Sequence, residues 1–98
     1  MTIEIKRNAE ETTIKLVGRL DMTTAPALDK TIGEDIAGTK NLVLDVKELE
    51  YISSAGLRVL LGAQKKMQKI GSMKVTNVRE EVMEVFEMTG FADILVIE

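Results

Sequence analysis

Tyr51-Ile52-Ser53-Ser54-Ala55-Gly56-Leu57-Arg58-Val59-Leu60-Leu61-Gly62 is the stretch in which the chain changes period. Upstream of it, Asn41-Leu42-Val43-Leu44-Asp45-Val46 is a short apolar run rich in branched residues, the pattern of a central strand. The polar Lys47-Glu48-Leu49-Glu50 connects the two. Downstream, Leu57, Leu60, Leu61, Ala63, Met67 and Ile70 recur at helical spacing, and Arg58, Gly62, Lys65 and Lys69 fall along the opposite side. Gly71 ends the pattern. An extended segment therefore hands over to an amphipathic helix at two serines.

Working outward, Met73-Lys74-Val75-Thr76-Asn77-Val78 predicts another strand. Val82, Val85 and Phe86 predict a further helix closed by Thr89-Gly90, and Ile94-Leu95-Val96-Ile97 a last short strand. Strand, helix, strand, helix, strand implies parallel crossovers of right-handed sense. Towards the start, Ile3 and Ile5 alternate with polar residues, Asn8-Ala9-Glu10-Glu11 breaks the pattern, and Thr13-Ile14-Lys15-Leu16-Val17 alternates again, which reads as a hairpin. Gly18-Arg19-Leu20-Asp21 ends that second strand. Thr23-Thr24-Ala25-Pro26 suits a helix start, with a threonine as cap and proline in the first turn. Ala25, Leu28, Ile32 and Ile36 follow as one stripe, with Gly38 as its stop. The expected fold is α/β: one domain over residues 1–98, a mixed sheet of four to five strands, and helices mainly on one face.

Composition narrows the function. Thirteen basic and sixteen acidic residues leave a net charge of −3, which argues against binding nucleic acid by counterion displacement. Three aromatics, Tyr51, Phe86 and Phe91, supply few platforms for stacking bases. The absence of cysteine and histidine removes thiolate nucleophiles, zinc–sulfur sites and the commonest general base. Phosphate-loop, dinucleotide and nucleophile-elbow motifs are missing too. No apolar run approaches the ~20 residues that cross a bilayer. The expectation is a cytoplasmic non-enzyme with no catalytic residue, metal or cofactor and no membrane insertion. Asp21 and Asp45 could meet at neighbouring strand ends, a weak pointer to acid–base or metal work.

The serines carry two readings. Ser53 or Ser54 can simply cap the helix, its oxygen accepting an N–H two or three residues on. Alternatively the Ser54 hydroxyl is exposed and phosphorylated, the helix N-terminus stabilising the added charge. The Arg58, Gly62, Lys65, Lys69 side is likewise either a solvated face or a docking face. Gly62 is costly in mid-helix, and close approach by another backbone would explain it. Met67, Met83 and Met88 read as core filler.

Gly18-Arg19-Leu20-Asp21, Leu42-Val43-Leu44-Asp45, Tyr51-Ile52-Ser53-Ser54-Ala55-Gly56-Leu57, Leu61-Gly62 and Val85-Phe86-Glu87-Met88-Thr89-Gly90-Phe91, in this order, resemble a STAS domain of the bacterial anti-sigma factor antagonist group. The resemblance spans essentially the whole chain. It implies partner switching in transcription regulation. In the family, the unphosphorylated antagonist binds an anti-sigma factor that is a serine kinase and so frees a sigma factor. Phosphorylation at the start of the second helix releases the complex, and a metal-dependent serine phosphatase restores it. The family's acceptor matches Ser54, with Ser53 as rival because it stands where relatives carry an acid. The family's aspartate after the second strand is matched by Asp21. The expected partner-binding residues are Asp21, Ser53, Ser54, Gly56, Arg58 and Gly62. The resemblance also admits a constitutive scaffold or a subunit of a signalling or lipid-transport complex.

Overall fold

The computed structural model describes residues 1–36 and 38–98. In chain order the elements are β1 (Thr2–Asn8), β2 (Glu11–Leu20), α1 (Ala25–Asp35), β3 (Asn41–Ile52), α2 (Ser54–Ile70), β4 (Ser72–Thr76), α3 (Glu80–Thr89) and a 3-10 turn (Phe91–Asp93). The sheet has the order β1-β2-β3-β4. β1 and β2 form the expected antiparallel hairpin, closed at Asn8↔Glu11, and β2–β3 and β3–β4 are parallel. The mixed sheet follows from the sequence order, since a hairpin needs only a short turn and each parallel step needs a crossover helix.

One sheet face is apolar and covered. Ile14, Leu16 and Leu20 of β2, Leu42, Leu44 and Val46 of β3 and Met73 and Val75 of β4 join Leu28 and Ile32 of α1, Leu57, Leu60 and Met67 of α2 and Phe86 of α3 in one core. Fully burying each such side chain contributes about 1.5–3 kcal/mol. The opposite face is polar: Lys15 meets Glu48 at 2.7 Å, and Asn77 Nδ2 donates to Asp45 Oδ1 at 3.1 Å.

Four expectations need correction. β3 does not stop at Val46 but runs on to Ile52, pairing with Gly18, Arg19 and Leu20. Two register shifts, between Lys15/Val17 and Gly18/Arg19, each put an extra residue into β3. Leu49 and Ile52 therefore still face inward although the inward spacing lengthens from two residues to three. The last strand shrinks to a single bridge, Val75↔Ile97, because the Phe91–Asp93 turn takes up its approach. Met67 is core and Met83 packs against it, but Met88 is 86% exposed; Ile70 is 49% exposed at the end of α2. Asp21 and Asp45 do not meet. Asp21 follows Leu20, which lies beside Ile52, and Asp45 stands seven residues before Ile52, roughly 20 Å away at strand rise.

Candidate functional site

Three segments converge at the carboxyl end of the two central strands: the β2–α1 turn, the end of β3 and the first turn of α2. The Ser53 amide donates to the Leu20 carbonyl at 2.9 Å, which joins the end of β2 to the start of α2. Strand ends of this kind are where open α/β sheets place their sites, because the crossover loops gather there.

Asp21 organises the first segment. Its Oδ1 accepts the Thr23 amide at 2.9 Å, the Thr23 hydroxyl at 2.7 Å and the Thr24 amide at 3.2 Å. Its own amide donates to Thr24 Oγ1 at 2.8 Å. The aspartate, rather than a threonine side chain, thus satisfies amides at the start of α1. The Thr23 hydroxyl, then the Thr23 and Thr24 amides, hold its carboxyl below the usual aspartate range, because each bond favours the ionised form. Arg19 lies beside it, with Nε 4.0 Å from Asp21 Oδ2 and the guanidinium carbon 4.3 Å from the centre of the Tyr51 ring. Register brings this about, since Arg19 and Tyr51 are direct neighbours across β2 and β3.

The two serines separate sharply. Ser53 is the N-cap of α2 in extended conformation, yet its side chain makes no capping bond, and its Oγ is buried without a hydrogen-bond partner among the described residues. Ser54 is the first helical residue and is exposed. Its hydroxyl enters none of the hydrogen bonds found among the described residues. The side-chain cap expected of one serine or the other is therefore absent. The first turn of α2 also contains no acidic residue, so nothing there offsets the partial positive charge of the helix N-terminus.

From Ser54 an exposed stripe runs along α2 through Arg58, Gly62, Lys65 and Lys69, successive turns of one face. A Cβ placed on Gly62 would find nothing within 4 Å. No internal packing requires a glycine there. Gly56, expected among the partner-binding residues, is buried. A Cβ there would lie 2.7 Å from Leu20 Cγ and 2.9 Å from Ile52 Cγ1, so the glycine lets the first turn of α2 sit against the two strand ends. Its role in the site is to hold Ser54 in place.

Two residues at this edge escaped the sequence reading. Leu61, expected in the core, is half-buried and lies outside the core cluster, one turn from Arg58. Met22, next to Asp21, is 78% exposed. An apolar residue in a polar turn, outside any stripe, was the available signal for Met22. For Leu61 it was adjacency to Leu60, because two consecutive helical residues point about 100° apart and cannot both face the middle of one core. Among the described residues no group of three acidic side chains could hold a metal ion, and no helix is long and apolar enough to cross a membrane.

The family model described as a STAS domain matches residues 2–98. The anti-sigma-B factor antagonist of Bacillus subtilis is 29% identical over 96 residues, covering 97% of this chain and 88% of its own length. The anti-sigma F factor antagonist of Paenibacillus polymyxa is 31% identical over 98 residues, covering 97% of this chain and 84% of its own. Among solved structures, an anti-sigma factor antagonist from Mycobacterium paratuberculosis matches with a TM-score of 0.88 at 26% identity, covering 98% of this chain and 83% of that one.

Proposed function

The chain belongs to the STAS family, and on that premise we propose that it is an anti-sigma factor antagonist switched at Ser54. Its unphosphorylated form binds a serine-kinase anti-sigma factor and frees a sigma factor; phosphorylation of Ser54 releases the kinase, and a serine phosphatase resets the cycle. The docking surface comprises Asp21, Ser54, Arg58 and Gly62, with Met22 and Leu61 as its apolar margin and Ser53 beneath it.

The observation that carries this reading is the contrast between the serines. The Ser53 hydroxyl is buried, whereas Ser54 is exposed at the N-terminus of a 17-residue helix. A kinase reaching this edge meets the second hydroxyl and not the first. Phosphate on Ser54 brings about −1.5 to −2 charges, which the helix N-terminus stabilises within the antagonist itself. Against a partner surface fitted to a neutral hydroxyl the same charge is unmatched. By analogy with other unpaired interfacial charges this costs about 3–5 kcal/mol, or roughly two to three orders of magnitude in affinity.

The test pairs phosphorylation with binding. Intact-mass and peptide mapping after incubation with the cognate kinase and ATP should place one phosphate on Ser54. Ser54→Ala should bind the kinase and resist release, and Ser54→Asp should fold normally and bind weakly. Phosphate on Ser53 would overturn the acceptor assignment. An unmodified chain whose partners are the same for wild type and Ser54→Asp would favour the constitutive-scaffold reading, which Ser53 in place of the family's acid keeps open.

A further inference from the structure

The two edges of the sheet are treated differently. Beyond β4, the C-terminal segment bridges Val75: the Val75 amide donates to Val96 O at 2.8 Å and the Glu98 amide to Val75 O at 2.9 Å. Beyond β1, no segment among the described residues pairs. β1 carries the charges of Glu4, Lys6 and Arg7 but none of the backbone guards of an exposed edge. It has seven residues in unbroken register with β2, with no proline and no bulge.

The pleat sorts its side chains. Ile3 and Ile5 lie opposite Leu16 and Ile14 and so on the helix-covered side, whereas Glu4 and Lys6 lie opposite Lys15 and Thr13 on the polar side. Ile5 is 41% exposed at the rim of the core. The closing pair Asn8/Glu11 of a two-residue hairpin turns its amides towards each other, so Glu4 and Lys6 do the same and Ile3 and Ile5 aim theirs outward.

We propose that β1 is a self-association edge: two copies of this chain pair antiparallel through β1 about a two-fold axis at Ile5, joining their sheets. The charge pattern selects this register. A two-fold pairing that keeps each sheet face continuous must match polar-side residues with polar-side residues, so the axis falls on a residue. On Ile5 it sets Glu4 of each copy opposite Lys6 of the other and the exposed Ile5 side chains against one another. On Glu4 it would set glutamate against glutamate, and on Lys6 lysine against lysine. Only one of the three is complementary. The pairing lies two strands away from β3, and α2 packs over β3 and β4, so each copy keeps its Ser54 face open.

The full chain is tested by sedimentation velocity from about 1 μM to about 1 mM, the range in which a small edge contact dimerises. The wild type should pass from monomer to dimer. Glu4→Lys and Lys6→Glu should each weaken dimerisation about tenfold or more, because each turns two attractive cross-pairs repulsive, and the double variant with both reversals should restore it. Urea unfolding of each variant shows that the species compared are folded. A wild type monomeric throughout would overturn the proposal, as would a dimer insensitive to the single reversals or a double variant as weak as the singles. This outcome does not depend on whether Ser54 is phosphorylated.

Discussion

Replacing Gly62 by alanine should make this domain more stable and a poorer binder. Gly62 lies at the middle of α2, where glycine costs about 1 kcal/mol relative to alanine through backbone entropy. The added methyl meets nothing within 4 Å, so no packing penalty offsets that gain. For a domain of 98 residues, about 1 kcal/mol corresponds to a rise in Tm of roughly 5 °C. Gly56 in the same helix supplies the internal contrast. Its added methyl would lie 2.7–2.9 Å from Leu20 and Ile52 side-chain carbons, against about 3.5–4.0 Å for a comfortable carbon contact. Overpacking of that kind costs about 1–3 kcal/mol, so Gly56→Ala should be neutral to destabilising while Gly62→Ala stabilises. Urea unfolding followed by far-UV circular dichroism reads both signs, the chain having no tryptophan. Affinity for the anti-sigma factor is then measured by calorimetry, where Gly62→Ala should be weaker by about tenfold, the scale of 1.4 kcal/mol for one intruding methyl at a close contact. A Gly62→Ala protein no more stable than wild type would refute the open helix face. One that is more stable and binds equally well would show that the glycine is not kept for docking.

Two further outcomes test the local geometry. Ser53→Ala should leave stability unchanged or raise it by about 1 kcal/mol, because the buried hydroxyl it removes has no hydrogen-bond partner among the described residues; a loss near the 1 kcal/mol typical of a true N-cap would show that Ser53 does cap α2. Asp21 has a folded pKa below its ordinary value. The stability it contributes is therefore complete above the ordinary aspartate value and lost as pH falls through its lower folded value. Asp21→Asn should unfold at lower urea than wild type at neutral pH, and the two midpoints should converge on acidification; a gap independent of pH would mean that the ionised carboxyl is not what the turn uses.

Much of this architecture is a local property and was legible as such. The stripe Ala25, Leu28, Ile32, Ile36 is buried as expected, as are Leu57, Leu60, Ala63, Met67 and the pair Val82, Phe86. Two of the three glycine stops fall where they were read, Gly71 capping α2 and Gly90, in the left-handed conformation, capping α3; α1 instead ends at Asp35 with Ile36 as its cap, before Gly38. The hairpin and the two crossovers then left few ways to arrange the sheet. The continuation of β3 to Ile52 was illegible for a definite reason. Its inward residues Val46, Leu49 and Ile52 are three apart, a spacing that belongs to no regular strand until the bulges opposite β2 are known.

The sequence by itself determined that two serines stand where a strand meets a helix, and that Arg58 and Gly62 share the outward side of that helix. It could not determine which hydroxyl is accessible. That was decided by the bond from the Ser53 amide to Leu20 O and by the seat of Gly56 on Leu20 and Ile52, which turn Ser53 Oγ inward and leave Ser54 at the surface. The choice of Asp21 over Asp45 as the neighbouring carboxylate has the same origin. Periodicity is set by bonds along the chain, whereas proximity between strand ends is set by register between chains of hydrogen bonds, and two bulged residues are enough to change it.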